Sequence, residues 1–181
     1  MEKIVYLTPN FAIADELGVE DFARVAAMGF RTLINNRPDG EEDIQLRSSE
    51  AQLLAARAGL SYRHIPATKF DLFTEHVVSD TISALRDLDG PVLAHCKSGM
   101  RSAIIWGAAR SRFEPVDNVL GTLSRAGMDM EFLRDEFDMQ ADQAHWSPDT
   151  PAALVNQAPA PAALAPMVLE PALSDREPVA A

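Results

Sequence analysis

The 181-residue chain is long enough for one domain with an appendage, and its 47% apolar and 24% charged residues are ordinary for a globular protein. Sixteen Lys and Arg against 27 Asp and Glu leave a net charge of −11, which argues against general nucleic-acid binding or docking on anionic membranes but leaves room for a local basic pocket. One cysteine excludes an internal disulfide framework, four histidines leave little material for zinc, and no apolar run has signal-peptide or membrane-spanning length; a cytoplasmic protein without metal or organic cofactor is expected.

Lys3–Leu7 alternates as a strand does, and Thr8-Pro9-Asn10 ends it. Gly18 to Met28 reads as a helix, with Val19, Phe22, Val25 and Ala26 on one face and Gly29 at its end. Arg31–Asn35 is a short apolar strand closed by a turn through Gly40. Ser48 or Ser49 caps a helix to about Ala58, again followed by a glycine. Leu60–Ile65 is a strand stopped by Pro66. Thr74 to Leu88 is helical, Val92–His95 is a buried-type strand, and helices follow over Ser102–Arg112, Val116–Arg125 and Met130–Gln140. Strands alternating with helices predict an α/β fold with a mostly parallel central sheet flanked by helices, its ligands at the C-terminal ends of the strands. From Pro148 onward the chain is rich in Pro and Ala, so residues 1–147 are read as the folded domain and 148–181 as a disordered tail.

The segment Val92-Leu93-Ala94-His95-Cys96-Lys97-Ser98-Gly99-Met100-Arg101-Ser102 carries the chemistry. An apolar strand runs into a cysteine, a short loop, an arginine and a helix. Backbone N–H groups of such a loop converge as an anion nest, and the helix N-terminus adds positive potential that favours a thiolate. Gly99 permits a close approach, Arg101 offers a planar fork to two oxygens, and Lys97 adds a second cation. Met100 completes the loop, while the Ser98 and Ser102 hydroxyls can donate to the sulfur or to a bound oxygen. A lone cysteine is usually an inert core residue, but this surrounding pattern reverses that reading.

His95-Cys96 followed by Gly99, Arg101 and Ser102 resembles the signature loop of cysteine-based phosphatases. Thr32 to Glu42, Tyr62-Arg63-His64-Ile65-Pro66 and Gly90 to Cys96 together are similar to one branch, the beta-lactamase-hydrolase-like phosphatase-like family, also described as a sulfurtransferase family. The resemblance covers residues 1 to about 110 and implies a dual-specificity-phosphatase-like fold. Four residues separate Cys96 from Arg101, one fewer than such phosphatases carry, and that loop length is similar to the rhodanese pattern.

A narrower ring of N–H donors suits a cysteine persulfide better than a phosphoryl group. The leading expectation is therefore a rhodanese-type sulfurtransferase. Cys96 would take sulfane sulfur from a small anionic donor such as thiosulfate, or from a persulfide, and pass it to cyanide or a thiol acceptor. The resemblance also implies a separate persulfide dioxygenase as a partner. Two alternatives stand beside it: a phosphate-monoester hydrolase acting through phospho-Cys96, and a non-catalytic anion- or persulfide-sensing module. The phosphatase needs a general acid, and Asp71 is the candidate, although a helix-N-terminal role near Thr74 is favoured for it. Arg37 either extends the cationic rim or pairs with Glu41 or Asp39. His95 is expected to orient the loop by hydrogen bonds, His64 to be structural, and Trp106 to pack the loop helix on the sheet.

Overall fold

The computed structural model describes residues 1–87 and 90–144; the stretch read as a tail, with His145 and Trp146, lies outside the described residues. Five short strands, β1 (Ile4–Thr8), β2 (Phe11–Ala14), β3 (Thr32–Asn35), β4 (Ser61–His64) and β5 (Val92–His95), form one sheet in the order β1-β2-β5-β3-β4. Only the β1–β2 pair is antiparallel. The helices are α1 (Asp21–Ala27), α2 (Ser48–Arg57), α3 (Glu75–Asp87), α4 (Met100–Ser111), α5 (Val116–Arg125) and α6 (Arg134–Ala144), the last preceded by a 3-10 turn at Glu131–Leu133. The α/β architecture with a mostly parallel sheet is as the alternation of patterns predicts.

β2 was not foreseen. Phe11-Ala12-Ile13-Ala14 is apolar at every position because both faces are covered, so it lacks the alternation that marks a half-buried strand. Thr8-Pro9-Asn10 ends β1 as expected, and its turn folds the chain back so that Ile4 pairs with Ala14. The central β5 is buried at all four positions for the same reason.

Two apolar layers sandwich the sheet. Ile13, Ile34, Val92 and Ala94 face the side covered by α3 to α6, where Val77, Ile105, Trp106, Leu123 and Phe137 complete the core. Ala12, Ala14, Leu33 and Leu93 face the side of α1 and α2, against Phe22, Val25 and Ala55. Trp106 stacks on Phe11 with ring centroids 6.0 Å apart, the packing role expected of it. α4 is buried along all of Ser102–Ser111. Gly107 makes this fit possible, because a Cβ there would lie 2.8 Å from the Phe137 ring.

The register decides where chemistry can gather. His95 is level with Ala14 on one side and Asn35 on the other, and Asn35 is level with His64. Four adjacent strands therefore end on one line, and the loops that follow them leave from the same edge. Boundaries differ from the expectation at functional points. α4 starts at Met100 and not at Ser102, so Arg101 lies within its first turn. Ser48 lies inside α2 and does not cap it; Asp39 reaches across to accept from Ser48 N at 2.7 Å and from its hydroxyl at 2.6 Å.

Candidate functional site

Cys96 leaves the end of β5 as a buried thiol, 1% exposed. Gly99 N donates to its Sγ at 3.1 Å, so the loop closes on the sulfur through its own backbone. Gly99 has φ 85°, a left-handed conformation, and caps α4, its carbonyl accepting from Ala103 N at 3.0 Å. A Cβ on Gly99 would meet Ala14 O at 3.2 Å, so both the angle and the space call for glycine. α4 begins at Met100, right after the loop that holds the sulfur, and the first N–H groups of a helix have no intrahelical partner. Met100 is 47% exposed and Ser98 also faces solvent.

Arg101 is held in place from two directions. Its Nη1 and Nη2 donate to the Glu41 carboxylate at 2.7 and 2.8 Å, and Nη1 also donates to Ala67 O at 2.8 Å. The end-on fork is thereby used in positioning, and the guanidinium also interacts with the Cys96 sulfur beside it. Burial opposes the Arg101 charge, but Glu41 and the adjacent Cys96 outweigh it and raise the pKa. Bonding to Arg101 in turn holds Glu41 below the usual carboxylate range.

Glu41 and Glu42 belong to a wider acidic strap. Arg37, 4% exposed, donates to Glu41 at 3.1 Å, to Glu42 at 2.6 Å, and to Glu16 in the loop after β2. Lys97 pairs with Glu42, and this pairing keeps the Glu42 carboxyl low. Three side-chain cations at the mouth thus face three carboxylates. Arg37 takes the paired role, with Glu41 as partner; Asp39 is not its partner, being committed to Ser48. Glu41 was legible as a partner for Arg37, whereas Glu16 and Glu42 were missed, since nothing in their local spacing signals cross-loop pairing.

Other expected roles divide. Asp71 Oδ1 accepts from Thr68 N and from the Thr68 hydroxyl at 3.1 Å, closing its own turn. Ala67 in that turn touches Arg101, so the Asp71 loop borders the site while its carboxylate faces inward on its own backbone. The Ser102 hydroxyl is buried without a partner among the described residues and does not bond Cys96, whose sulfur is served by Gly99. His64 is structural, its Nε2 2.9 Å from Arg37 O. His95 does not orient the loop through its ring: among the described residues both nitrogens lack a partner, while its backbone carbonyl accepts from Asn36 N at 2.8 Å. Burial, reinforced by Arg37 and His64, lowers its pKa to about 3, so the imidazole is neutral. Among the described residues no group of His, Cys, Asp or Glu is arranged to hold a metal, and no helix is long and apolar enough to cross a membrane.

Residues 3–112 match the sequence profile of the family described as beta-lactamase hydrolase-like protein, phosphatase-like domain. Beta-lactamase hydrolase-like proteins of Xylella fastidiosa (strain Temecula1) and Agrobacterium fabrum (strain C58) are 36% and 34% identical over 104 residues. Those matches take in 58% of this chain but 24% of either relative. Among solved structures, a Neisseria meningitidis Z2491 protein assigned to the phosphatases is similar with a TM-score of 0.66 and 30% identity, over 76% of this chain and 97% of that one. Tk-PTP, at TM-score 0.57 and 18% identity over 78% of this chain and 97% of its own, shares the fold. So does the catalytic core of the Saccharomyces cerevisiae PP-IP phosphatase SIW14, at 0.54 and 12% over 80% and 94%. The description of the Neisseria meningitidis protein fits the hydrolase alternative better than the sulfur-transfer expectation; the other two share the fold.

Proposed function

Because the chain belongs to the family of beta-lactamase hydrolase-like, phosphatase-like domains, we propose that it is a cysteine-dependent hydrolase of phosphate monoesters with Cys96 as nucleophile. The observation that carries this reading is the closed loop itself: a buried Cys96 bonded by Gly99 N at the mouth of α4, with Arg101 fixed by Glu41 in the first turn. The Cys96 thiolate attacks phosphorus as the bond to the leaving oxygen breaks. The Arg101 guanidinium and the helix N–H groups hold the equatorial oxygens, where charge is concentrated in the transition state. Water then attacks phospho-Cys96, releasing inorganic phosphate and restoring the thiolate. Asp71 can protonate the leaving oxygen only after parting from Thr68, so esters with acidic leaving groups, such as aryl phosphates, are the better substrates.

A second reading has its own support. The loop from Cys96 to Arg101 is short, and the Asp71 carboxylate is held by Thr68. Sulfur transfer needs no general acid. Cys96 attacks the outer sulfur of thiosulfate, sulfite leaves, and a thiol acceptor removes the sulfur as its own persulfide, here the substrate of a separate dioxygenase. Intact mass separates the two. A gain of about 80 Da on Cys96 from an aryl phosphate supports hydrolysis, and about 32 Da from thiosulfate supports transfer. Neither adduct, together with no turnover of either substrate, overturns both.

A further inference from the structure

A cavity of about 470 Å³ lies on the other face of the sheet from Cys96, under the α1–α2 side. The ends of β3 and β5 present Asn35 and His95 to it, the loop after β2 presents Glu16, and the segment leading into α2 presents Gln45 and Glu50. Cys96 and Arg101 take no part in its walls. At about 30 Å³ per water the space is far larger than a single solvent molecule requires.

Two polar groups point to an occupant. His95 is 5% exposed, and neither ring nitrogen has a partner among the described residues. Gln45 Oε1 is likewise buried and unpartnered, because the amide nitrogen of the same side chain is spent on Pro38 O at 2.7 Å. Leaving buried polar atoms unpaired costs about 1–3 kcal/mol each, which a bound molecule relieves. The third observation is charge. Arg37, a cation in the wall, is committed to Glu16, Glu41 and Glu42, and the Met1 ammonium at the rim is held by Asp21 at 2.7 Å. One oxygen of Glu16 is taken by Arg37 and one of Glu50 by Arg47 N, so the acceptors left facing the space are their second oxygens, Gln45 Oε1 and one nitrogen of the neutral His95 ring. Against these stands the N–H of the same ring, so acceptors exceed donors among the side-chain groups facing the space.

We propose that this cavity is a binding site for a small primary amine, whose ammonium donates to Gln45 Oε1 and His95 in a wall that also carries Glu16 and Glu50. The cavity shares Arg37 and Glu16 with the mouth beside Cys96, and its occupancy is tested without reading activity. The full chain, carrying isotope-labelled histidine, is titrated with putrescine, butanediol and succinate, an isosteric series of cation, neutral and anion. Calorimetry and the His95 ring resonance, identified by its loss in His95→Phe, are followed. Putrescine is expected to saturate and to move the ring resonance, with butanediol at least about tenfold weaker and succinate without effect there. Gln45→Met and Glu50→Gln each remove an acceptor outside the sheet and are expected to weaken putrescine several-fold. Failure to saturate by about 10 mM, equal binding of butanediol, or undiminished binding in both variants overturns the proposal and leaves a cavity that holds only water.

Discussion

His95 and Cys96 are neighbours in sequence, equally buried, and opposite in circumstance. Cys96 turns toward the α4 side, where a backbone N–H meets its sulfur and a clamped arginine stands beside it. The His95 ring turns toward the α1–α2 side, and neither nitrogen meets a partner among the described residues. On the Cys96 side every element contributes a specified contact: β5 sets the position, Gly99 the angle, α4 the dipole, and the loop after β3 the carboxylate that fixes Arg101. On the His95 side the same strand end delivers a polar ring into unfilled space. Burial by itself therefore says little about the function of a polar side chain. The partners decide, and they come from loops distant in sequence.

Several substitutions break this contrast. Cys96→Ser is expected to cause the largest loss, about three orders of magnitude or more in kcat/KM with an unchanged fold, as read by steady-state kinetics and circular dichroism. Gly99→Ala comes next. The left-handed φ and the approach to Ala14 O should cost about 1–3 kcal/mol in chemical denaturation and displace the sulfur's donor, with activity falling in parallel. Arg101→Lys keeps a charge but loses the planar fork, and a fall of about tenfold to a hundredfold in kcat/KM is expected.

Glu41→Gln sharpens the comparison more gently. Only one of its paired bonds to Arg101 can be kept, so the guanidinium should wander, and activity should fall several-fold while inorganic phosphate inhibits more tightly. Looser inhibition by phosphate would show that Glu41 preorganises the site without competing for its charge.

The His95 side has its own test. Its folded pKa, about 3, is below the ordinary 6.5, so the unfolded chain binds a proton that the folded chain refuses. The stability contribution is fully present above pH 6.5 and is lost as pH falls, by at most about 1.4 kcal/mol per pH unit. Glu41 and Glu42, depressed from 4.5, add their loss only at lower pH. In the window from 6.5 down to 4.5, His95→Gln should therefore flatten the stability slope measured in urea. An unchanged slope would mean that the ring finds a compensating partner on protonation.

Much of the Cys96 side was legible in the sequence, because it is local. A four-residue apolar strand, a glycine at a fixed offset and an arginine before a helix are consecutive, and their geometry follows from backbone rules. β2 was not legible, since a strand buried on both faces shows no period. The acidic strap was legible only through Glu41, because Glu16 and Lys97 reach Arg37 and Glu42 across the sheet edge. The isolation of His95 could not be read either: an absent partner leaves no pattern. The same holds for the early start of α4, where the left-handed Gly99 serves as the cap in place of a side-chain oxygen.

The continuous burial of Ser102–Ser111 has a dynamic consequence. Amide hydrogens along α4 have no route to solvent through fraying of an exposed face, so their exchange should proceed through global opening and report the full unfolding free energy. The nucleophile, at the N-terminal mouth of that helix, is anchored to the slowest-exchanging part of the molecule. Residues 38–47, by contrast, contain no helix or strand and place Ile44 almost wholly in solvent. Slow and fast exchange should therefore meet at the Glu41–Arg101 ion pair, which ties that loop to the first turn of α4.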